Sequence, residues 1–274
     1  VKSTVGYVQY DVLFEDWDHN ANTVRALVEE GAKADLLVLP EFGLTGYDFV
    51  DPANVSRLAE PFVEGPTRDL LRELAAKHNV TLIIGYPEKD GDRYYNSCMM
   101  MLPDGTAHNY RKLHLFNRET EIFQPGDAAP KVYETPAGRV GMMICFDWYF
   151  PEVARCLGLQ GAQIIAHPSN LILPWCQRAM FARSVENRVF TITANRIGTE
   201  TQAGRSLTFT GNSQVLSATG ELLAAAPTDA PHVDLAEINP ADADDKSVAG
   251  YNHLFNDRRI DILGPLLTGE DKSS

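Results

Sequence analysis

Positive charge, cysteine and histidine are all scarce in this 274-residue chain, and each scarcity removes a class of function. Lys and Arg number 24 against 37 Asp and Glu, a formal net charge of −13, so the basic footprint of a nucleic-acid binder is missing. The four cysteines, at positions 98, 145, 156 and 176, show neither a Cys-x-x-Cys pair nor zinc-ligand spacing. Such usage suits free thiols in a reducing compartment, so a cytoplasmic setting is expected. The seven histidines are scattered, with no His-x-x-x-His pair, and no metal is expected. No apolar run approaches a membrane span, and no charged leader with an apolar core opens the chain, so no membrane partner is expected. Nor does a Pro/Gly/Ser-rich linker, a low-complexity tract or a clear internal repeat divide it. The length allows one large domain or two small ones.

What the chain does have is an alternation of short apolar strands and amphipathic helices. Strands are predicted at 4–9, 36–39, 80–86, 140–144, 162–166 and 189–194, with later ones near 214–217, 221–225 and 232–236. Helices are predicted at 17–31, 67–78, 151–159 and 175–187, the second opened by Pro66 and striped by Leu70, Leu71, Leu74 and Ala75. Asp90-Gly91 and Asp104-Gly105 are hairpin turns. Two helix pairs flanking two groups of strands make an α/β fold in which two sheets can be packed together.

Three polar residues stand where such strands stop. Cys145 ends the apolar run Val140–Ile144, just before a helix start at Pro151-Glu152. A thiol there can face a cleft near backbone amides that favour an anion, although a cysteine in that place also reads as a core residue. Glu41 follows Leu36–Leu39 and Pro40, at the carboxyl end of a strand, where open α/β sheets place ligands. Between Leu39 and Phe42 its pKa should rise and fit it to act as a base; a solvated loop carboxylate is the alternative. Lys112, in Tyr110-Arg-Lys-Leu-His-Leu-Phe116, lies among aromatic and apolar neighbours, which suggests a half-buried ammonium where a surface Arg-Lys pair is otherwise common. Together a thiol, a carboxylate and an ammonium supply a nucleophile, a proton shuttle and an anion stabiliser. His114, two residues beyond Lys112, is expected to be a structural hydrogen-bonder, and Cys98 and Cys156 to be packing residues.

With these segments the chain resembles the nitrilase (carbon–nitrogen hydrolase) superfamily. The matching stretches are Leu39-Pro-Glu-Phe42, Tyr110–Phe116, Phe123-Gln-Pro-Gly126, Ile144-Cys-Phe-Asp-Trp-Tyr-Phe-Pro-Glu152, His167-Pro-Ser-Asn170, Ala182–Val189 and Thr193–Gly198, in family order. The resemblance implies a four-layer αββα sandwich and a triad of Cys145, Glu41 and Lys112. It also implies a second glutamate, Glu119, whose spacing to Pro125-Gly126 favours it over Glu121, and which would hold Lys112. Oxyanion donors would be Lys112 and the backbone N–H of Phe146. The implied chemistry is hydrolysis of a small amide through an acyl-thioester, without a cofactor. Nitrile hydrolysis and N-carbamoyl amide hydrolysis are the alternatives. A non-catalytic binding subunit is more distant, since all four site residues are present. Tyr47, Phe49, Trp148, Trp175 and Cys176 would shape the substrate pocket, and Arg178 could meet a substrate carboxylate. The domain is expected to span 1–262, with a docking tail from about 246 and a flexible end at 263–274. Family members commonly pair through the helices near 151–159 and 175–187, so a homodimer or larger assembly is expected; Tyr251, Leu254, Phe255 and Ile260 leave apolar side chains on a tail too short to fold alone.

Overall fold

Period-two alternation along the strands decides the layering. In the computed structural model, which describes residues 2–268, Val5 and Tyr7 face one core while Val8 and Tyr10 join another. Leu36 and Val38 divide from Leu37 and Leu39 in the same way, and Cys98 and Met100 from Met99 and Met101. A sheet apolar on both faces must be covered on both.

Two six-stranded sheets result. The first holds β1 (Ser3–Gln9), β2 (Leu36–Val38), β3 (Thr81–Asp90), β4 (Arg93–Met101) and β5 (Ala107–Arg111), in that order. The second runs β6 (Val132–Thr135), β7 (Gly138–Met142), β8 (Ile164–Pro168) and β9 (Phe190–Ala194). A separate hairpin, β10 (Thr199–Gln202) with β11 (Arg205–Thr208), precedes β12 (Gln214–Leu216) and β13 (Leu222–Ala225), which complete the second sheet. β14 (His232–Ile238) returns to pair antiparallel with β1. The central strands β1–β2–β3 and β7–β8–β9 are parallel, and the strands outside them antiparallel.

Helices α1 (Trp17–Glu30) and α3 (Pro66–His78) cover the outer face of the first sheet, with α2 (Pro52–Leu58) in the loop between. After the short turn α4 (Glu119–Ile122), α5 (Pro151–Leu159) and α6 (Cys176–Asn187) lie on the second sheet. Asp16 caps α1 by accepting the His19 N–H, and Asn79 closes α3 in the left-handed conformation. Gly141 lets α5 approach β7, since a Cβ there would lie 2.6 Å from Leu157. The inner faces of the two sheets share one apolar core, each fully buried aliphatic side chain contributing about 1.5–3 kcal/mol. The fold is therefore the four-layer αββα sandwich.

The two halves repeat one pattern that the sequence hides: β1-α1-β2-α3-β3-β4-β5 and β7-α5-β8-α6-β9-β12-β13, each with an antiparallel strand added beside its first. Further elements, β6 among them, lie outside the sequence expectation. α2 has the Asp51 cap and Pro52 start of a helix but only seven residues, α4 is a single turn, and the β10–β11 hairpin is polar throughout except Leu207 and Ala203. Residues from Asp245 onward form a second unit. It contains the hairpin β15 (Ser247–Ala249) with β16 (Asn252–His253), and α7 (Ile260–Thr268). α7 occupies the start of the stretch expected to be a flexible end; positions 269–274 of that stretch lie outside the described residues.

Candidate active site

Glu41 is held by the backbone around it. β2 gives way to Pro40, the Leu39 N–H bonds the Ile83 carbonyl at 2.7 Å, and Gly85 of β3 donates to the Pro40 carbonyl at 3.0 Å. Gly85 is required there, because a Cβ would come 2.5 Å from the Glu41 Cα. Phe42 turns the chain at φ 49°, and the Asn170 side chain donates to the Glu41 carbonyl at 2.8 Å. Lys112 directly follows β5, its N–H bonded to the Asn96 carbonyl at 2.8 Å. Strand pairing between β4 and β5 thus carries Asn96 and Lys112 to one place.

There the side chains form one closed cluster. Lys112 Nζ lies 2.8 Å from Glu41 Oε1 and 2.9 Å from both oxygens of Glu119. Asn96 Nδ2 donates to Glu41 Oε1 at 2.7 Å and to Glu119 Oε2 at 3.4 Å, and the Tyr47 hydroxyl to Glu119 Oε1 at 2.7 Å. Lys112 and Glu41 are fully buried. Burial works against the Lys112 charge, but Glu119 and Glu41 outweigh it and hold the ammonium protonated. Burial raises the Glu41 pKa; Lys112 opposes that and the Glu119 charge adds to it. Glu41 Oε2 is buried without a hydrogen-bond partner, the atom left over for a proton or a substrate.

Cys145 opens a 3-10 turn, Cys145–Tyr149, at φ 38°, a left-handed conformation that costs a non-glycine residue energy and has to be imposed by its surroundings. Asp147 does much of the imposing. This fully buried carboxylate accepts the Ile144 N–H at 3.0 Å, the Tyr110 hydroxyl at 2.8 Å, and the N–H and Nδ1 of His114 at 3.1 and 2.8 Å. His114 in turn stacks on Phe150, ring centroids 3.6 Å apart. On the other side His167 Nε2 bonds the Cys145 carbonyl at 2.9 Å, and burial pushes the imidazole down to about 4, so it is neutral. Burial raises the Cys145 thiol well above its ordinary pKa, the Glu41 charge adds to this, and Lys112 and the Asn170 N–H oppose it. The resting sulfur is a thiol that needs a base.

Phe146 and Trp148 border a cavity of about 30 Å³ at Cys145, together with Phe116 and Ile172. Tyr47 and Phe49 border a second, of about 40 Å³, that also reaches Phe116, Ile172 and Glu119. The other expected pocket residues lie elsewhere. α6 turns Cys176, Met180, Ser184 and Asn187 inward, a spacing of three or four that leaves Arg178 on the opposite, exposed side. Cys176 is sealed in the core, and Trp175, ahead of the helix, is 53% exposed. Neither Trp175 nor Arg178 borders either cavity.

Sequence reasoning gave no role to Asn96, Asp147 or Glu200. Glu200 of β10 is buried and accepts the backbone N–H groups of Tyr47 and Asp48 at 2.8 Å each. It pairs with buried Arg196, which sits 4.1 Å over the Phe209 ring. A buried Arg–Glu pair four apart (Arg196, Glu200) is the signal that could have marked Glu200; Asn96, in the middle of β4, and Asp147 carry none.

Comparison with known proteins follows the same lines. The carbon–nitrogen hydrolase family model matches residues 4–246. A nitrilase of Pyrococcus abyssi is 42% identical over 257 residues, covering 93% of this chain and 97% of the relative. An (R)-stereoselective amidase of a Pseudomonas species is 33% identical, covering 89% and 86%. The crystal structure of a carbon–nitrogen hydrolase from Helicobacter pylori superposes with a TM-score of 0.87 at 28% identity, covering 97% of this chain and 99% of that one. By family model, relatives and fold, the chain belongs to the carbon–nitrogen hydrolase family of the nitrilase superfamily.

Proposed function

We propose that this hydrolase cleaves the carbon–nitrogen bond of a small amide, releasing ammonia and a carboxylic acid through a thioester on Cys145. The observation that carries the reading is the buried cluster itself: Glu41, with one oxygen unpaired and a raised pKa, beside an ammonium fixed between two carboxylates. Glu41 removes the Cys145 proton and the sulfur attacks the amide carbon. Lys112 and the Phe146 N–H stabilise the anionic oxygen, and protonated Glu41 gives its proton to the leaving amine. Water, deprotonated by Glu41, then adds to the thioester; the acid leaves and the thiol regains its proton. Glu119 acts by holding Lys112. The apolar border of the Cys145 cavity, with Phe116, Trp148 and Leu171, suits a compact uncharged acyl group. Nitrile hydrolysis is the second reading, favoured by the Pyrococcus relative that bears that name.

Ammonia release tests both readings. Wild type should act on simple amides, and Cys145→Ala should abolish release while keeping the fold; substantial activity in the variant would end the scheme. Release from matching nitriles but not amides would install the second reading, and release from an N-carbamoyl amino acid alone would replace both. The reduced thiols, unpaired at all four cysteines, suit a cytoplasmic setting. Half-exposed Leu159 on α5, with Phe181 and Val185 on α6, supports a homodimer, for which sedimentation at micromolar concentration should show no monomer.

A further inference from the structure

His167, near the end of β8, plays no part in the scheme above, yet it is fully buried against the nucleophile's own backbone. Its Nε2 lies 2.9 Å from the Cys145 carbonyl oxygen and 3.1 Å from Ser169 Oγ, and its Nδ1 lies 3.2 Å from Thr193 Oγ1 of β9. The neutral ring carries one proton, and these partners decide where it is. A carbonyl oxygen only accepts, so Nε2 carries the hydrogen and Nδ1 accepts from the Thr193 hydroxyl. The other tautomer would set a lone pair against the Cys145 oxygen and leave a buried carbonyl unsatisfied. The Ser169 hydroxyl donates to the His167 carbonyl at 3.3 Å, which leaves its oxygen free to face Nε2 as a second acceptor. Both ring nitrogens are thus engaged, and the proton points at the carbonyl of Cys145. This histidine is no base for the thiol.

What it holds is one end of a peptide unit whose other end is the Phe146 N–H. That unit is planar and trans, so its C=O and N–H point in opposite directions. A carbonyl pinned to His167 therefore aims the N–H away from His167. Cys145 and Phe146 border the cavity at the thiol and His167 does not, so the ring stands behind the peptide. The turn's own hydrogen bonds run from the Asp147 N–H to the Ile144 carbonyl and from the Ile144 N–H to the Asp147 carboxylate. They leave the Phe146 N–H without an acceptor among the described residues. Two effects follow. A hydrogen bond at the oxygen polarises the amide and makes its N–H a stronger donor. It also opposes a flip of the peptide plane, beside a residue whose φ of 38° already costs energy. Such a flip would turn a carbonyl towards the developing anion and withdraw the donor. We propose that His167 is a positioning residue: through the Cys145–Phe146 peptide it aims and strengthens the oxyanion donor, and Thr193 keeps the proton on the nitrogen that does so. The inference rests on the amide reading above and adds to it a residue outside the cavity.

The test separates aiming the donor from holding the sulfur. Amide hydrolysis passes through an anionic oxygen. Methylthiolation of Cys145 by methyl methanethiosulfonate does not: the thiol loses its proton, its sulfur bonds the reagent's sulfur, and methanesulfinate leaves. The shorter side chain of His167→Asn can meet Thr193 but falls short of the Cys145 carbonyl. Its kcat should fall about tenfold to a hundredfold, less than deletion of an oxyanion donor costs, with KM within about threefold. Methylthiolation, followed at the Cys145 peptide by mass spectrometry, should stay within about twofold. His167→Gln, long enough to return an N–H to that carbonyl, should regain most of kcat. If circular dichroism shows the asparagine protein unfolded, Thr193→Val is read in the same way, with a fall of about three- to tenfold in kcat. An unchanged kcat, methylthiolation that slows in step with kcat, or a glutamine variant no better than the asparagine one would overturn the proposal while leaving the amide reading intact. If wild type hydrolyses no amide, that reading falls, and butyraldehyde replaces the substrate, since its oxygen takes the thiol proton as the sulfur adds. Its protection of Cys145 from methylthiolation should then be about tenfold weaker in His167→Asn. Equal protection in both proteins, or none in wild type, would overturn the role of His167 as well.

Discussion

Replacing Glu119 with Gln isolates what one negative charge does to the base beside it. Glu41 and Glu119 both contact Lys112 Nζ, within 2.8 and 2.9 Å, so their charge centres are about 5 Å apart. At an effective dielectric of about 20 that repulsion is about 3 kcal/mol, and removing it lowers the Glu41 pKa. Burial is the larger reason that the Glu41 pKa is raised, and it survives the substitution; the Glu119 contribution does not. Glu41 therefore becomes easier to deprotonate. Because the proposed base must be unprotonated to take the thiol proton, the acid limb of kcat/KM should move to lower pH.

The same substitution has a separate cost. Glu119 accepts from Lys112, Tyr47 and the Phe116 N–H, and a glutamine turns an NH₂ towards one of those donors. That should lower kcat and cost about 1–3 kcal/mol of stability. The assay is ammonia release across pH 4–9 for both proteins. An acid limb that stays in place or moves upward would refute the electrostatic reasoning, whatever happens to kcat. A shift with unchanged kcat would instead remove the claim that Glu119 positions the ammonium.

Two further substitutions probe the frame. Asp147→Asn keeps one acceptor oxygen but sets an NH₂ against donors from Ile144, Tyr110 and His114, so urea unfolding should show a loss of about 2–4 kcal/mol and kcat should fall as the turn at Cys145 relaxes; unchanged stability and kcat would show that the carboxylate does not hold that turn. Glu60 is 6% exposed, and burial pushes its pKa up to about 7 from 4.5, with Thr67, whose N–H bonds it at 3.0 Å, as the compensating partner. A raised folded pKa contributes stability that is full below the unfolded value and lost as pH rises through the folded one. Stability should thus decline by up to about 3 kcal/mol between pH 4.5 and 7, and Glu60→Gln should flatten that part of the profile; an identical slope in the variant would count against it.

How much was legible follows from where each signal resides. Strands that alternate or run apolar, and helices with a stripe such as Leu70, Leu71 and Leu74, announce themselves locally, so the αββα layers were within reach of pattern and resemblance together. Glu41 and Cys145 stand out in the sequence because a polar residue just after an apolar strand is a local anomaly, and Lys112 because its neighbours Tyr110, Leu113 and Phe116 are aromatic or apolar. Asn96 and Asp147 are not anomalies in the chain. Their importance comes from strand register and from a turn that folds back on Ile144, neither of which a linear sequence displays. Trp175 and Arg178 are the reverse case: they stand near a motif in sequence, yet neither borders the two cavities, and the helical phase of α6 takes Arg178 to the outside.

The same distinction separates the reaction from its selectivity. The groups proposed to react sit just beyond the ends of β2, β5 and β7, inside a core whose pattern the sequence must keep in order to fold. The groups that border the second cavity sit on a loop and a polar hairpin, Tyr47 to Phe49 and Thr199–Thr208, which contribute little to either sheet's core. They are tied together by Glu200, Arg196 and Arg205, charges buried or half-buried far from any apolar stripe. Substitutions in that hairpin can change which acyl group fits without touching the layers that hold Cys145, Glu41 and Lys112. Substrate preference in this fold is therefore expected to vary with the hairpin while the chemistry stays fixed, which is the physical reason that reaction type was readable from the sequence and substrate was not.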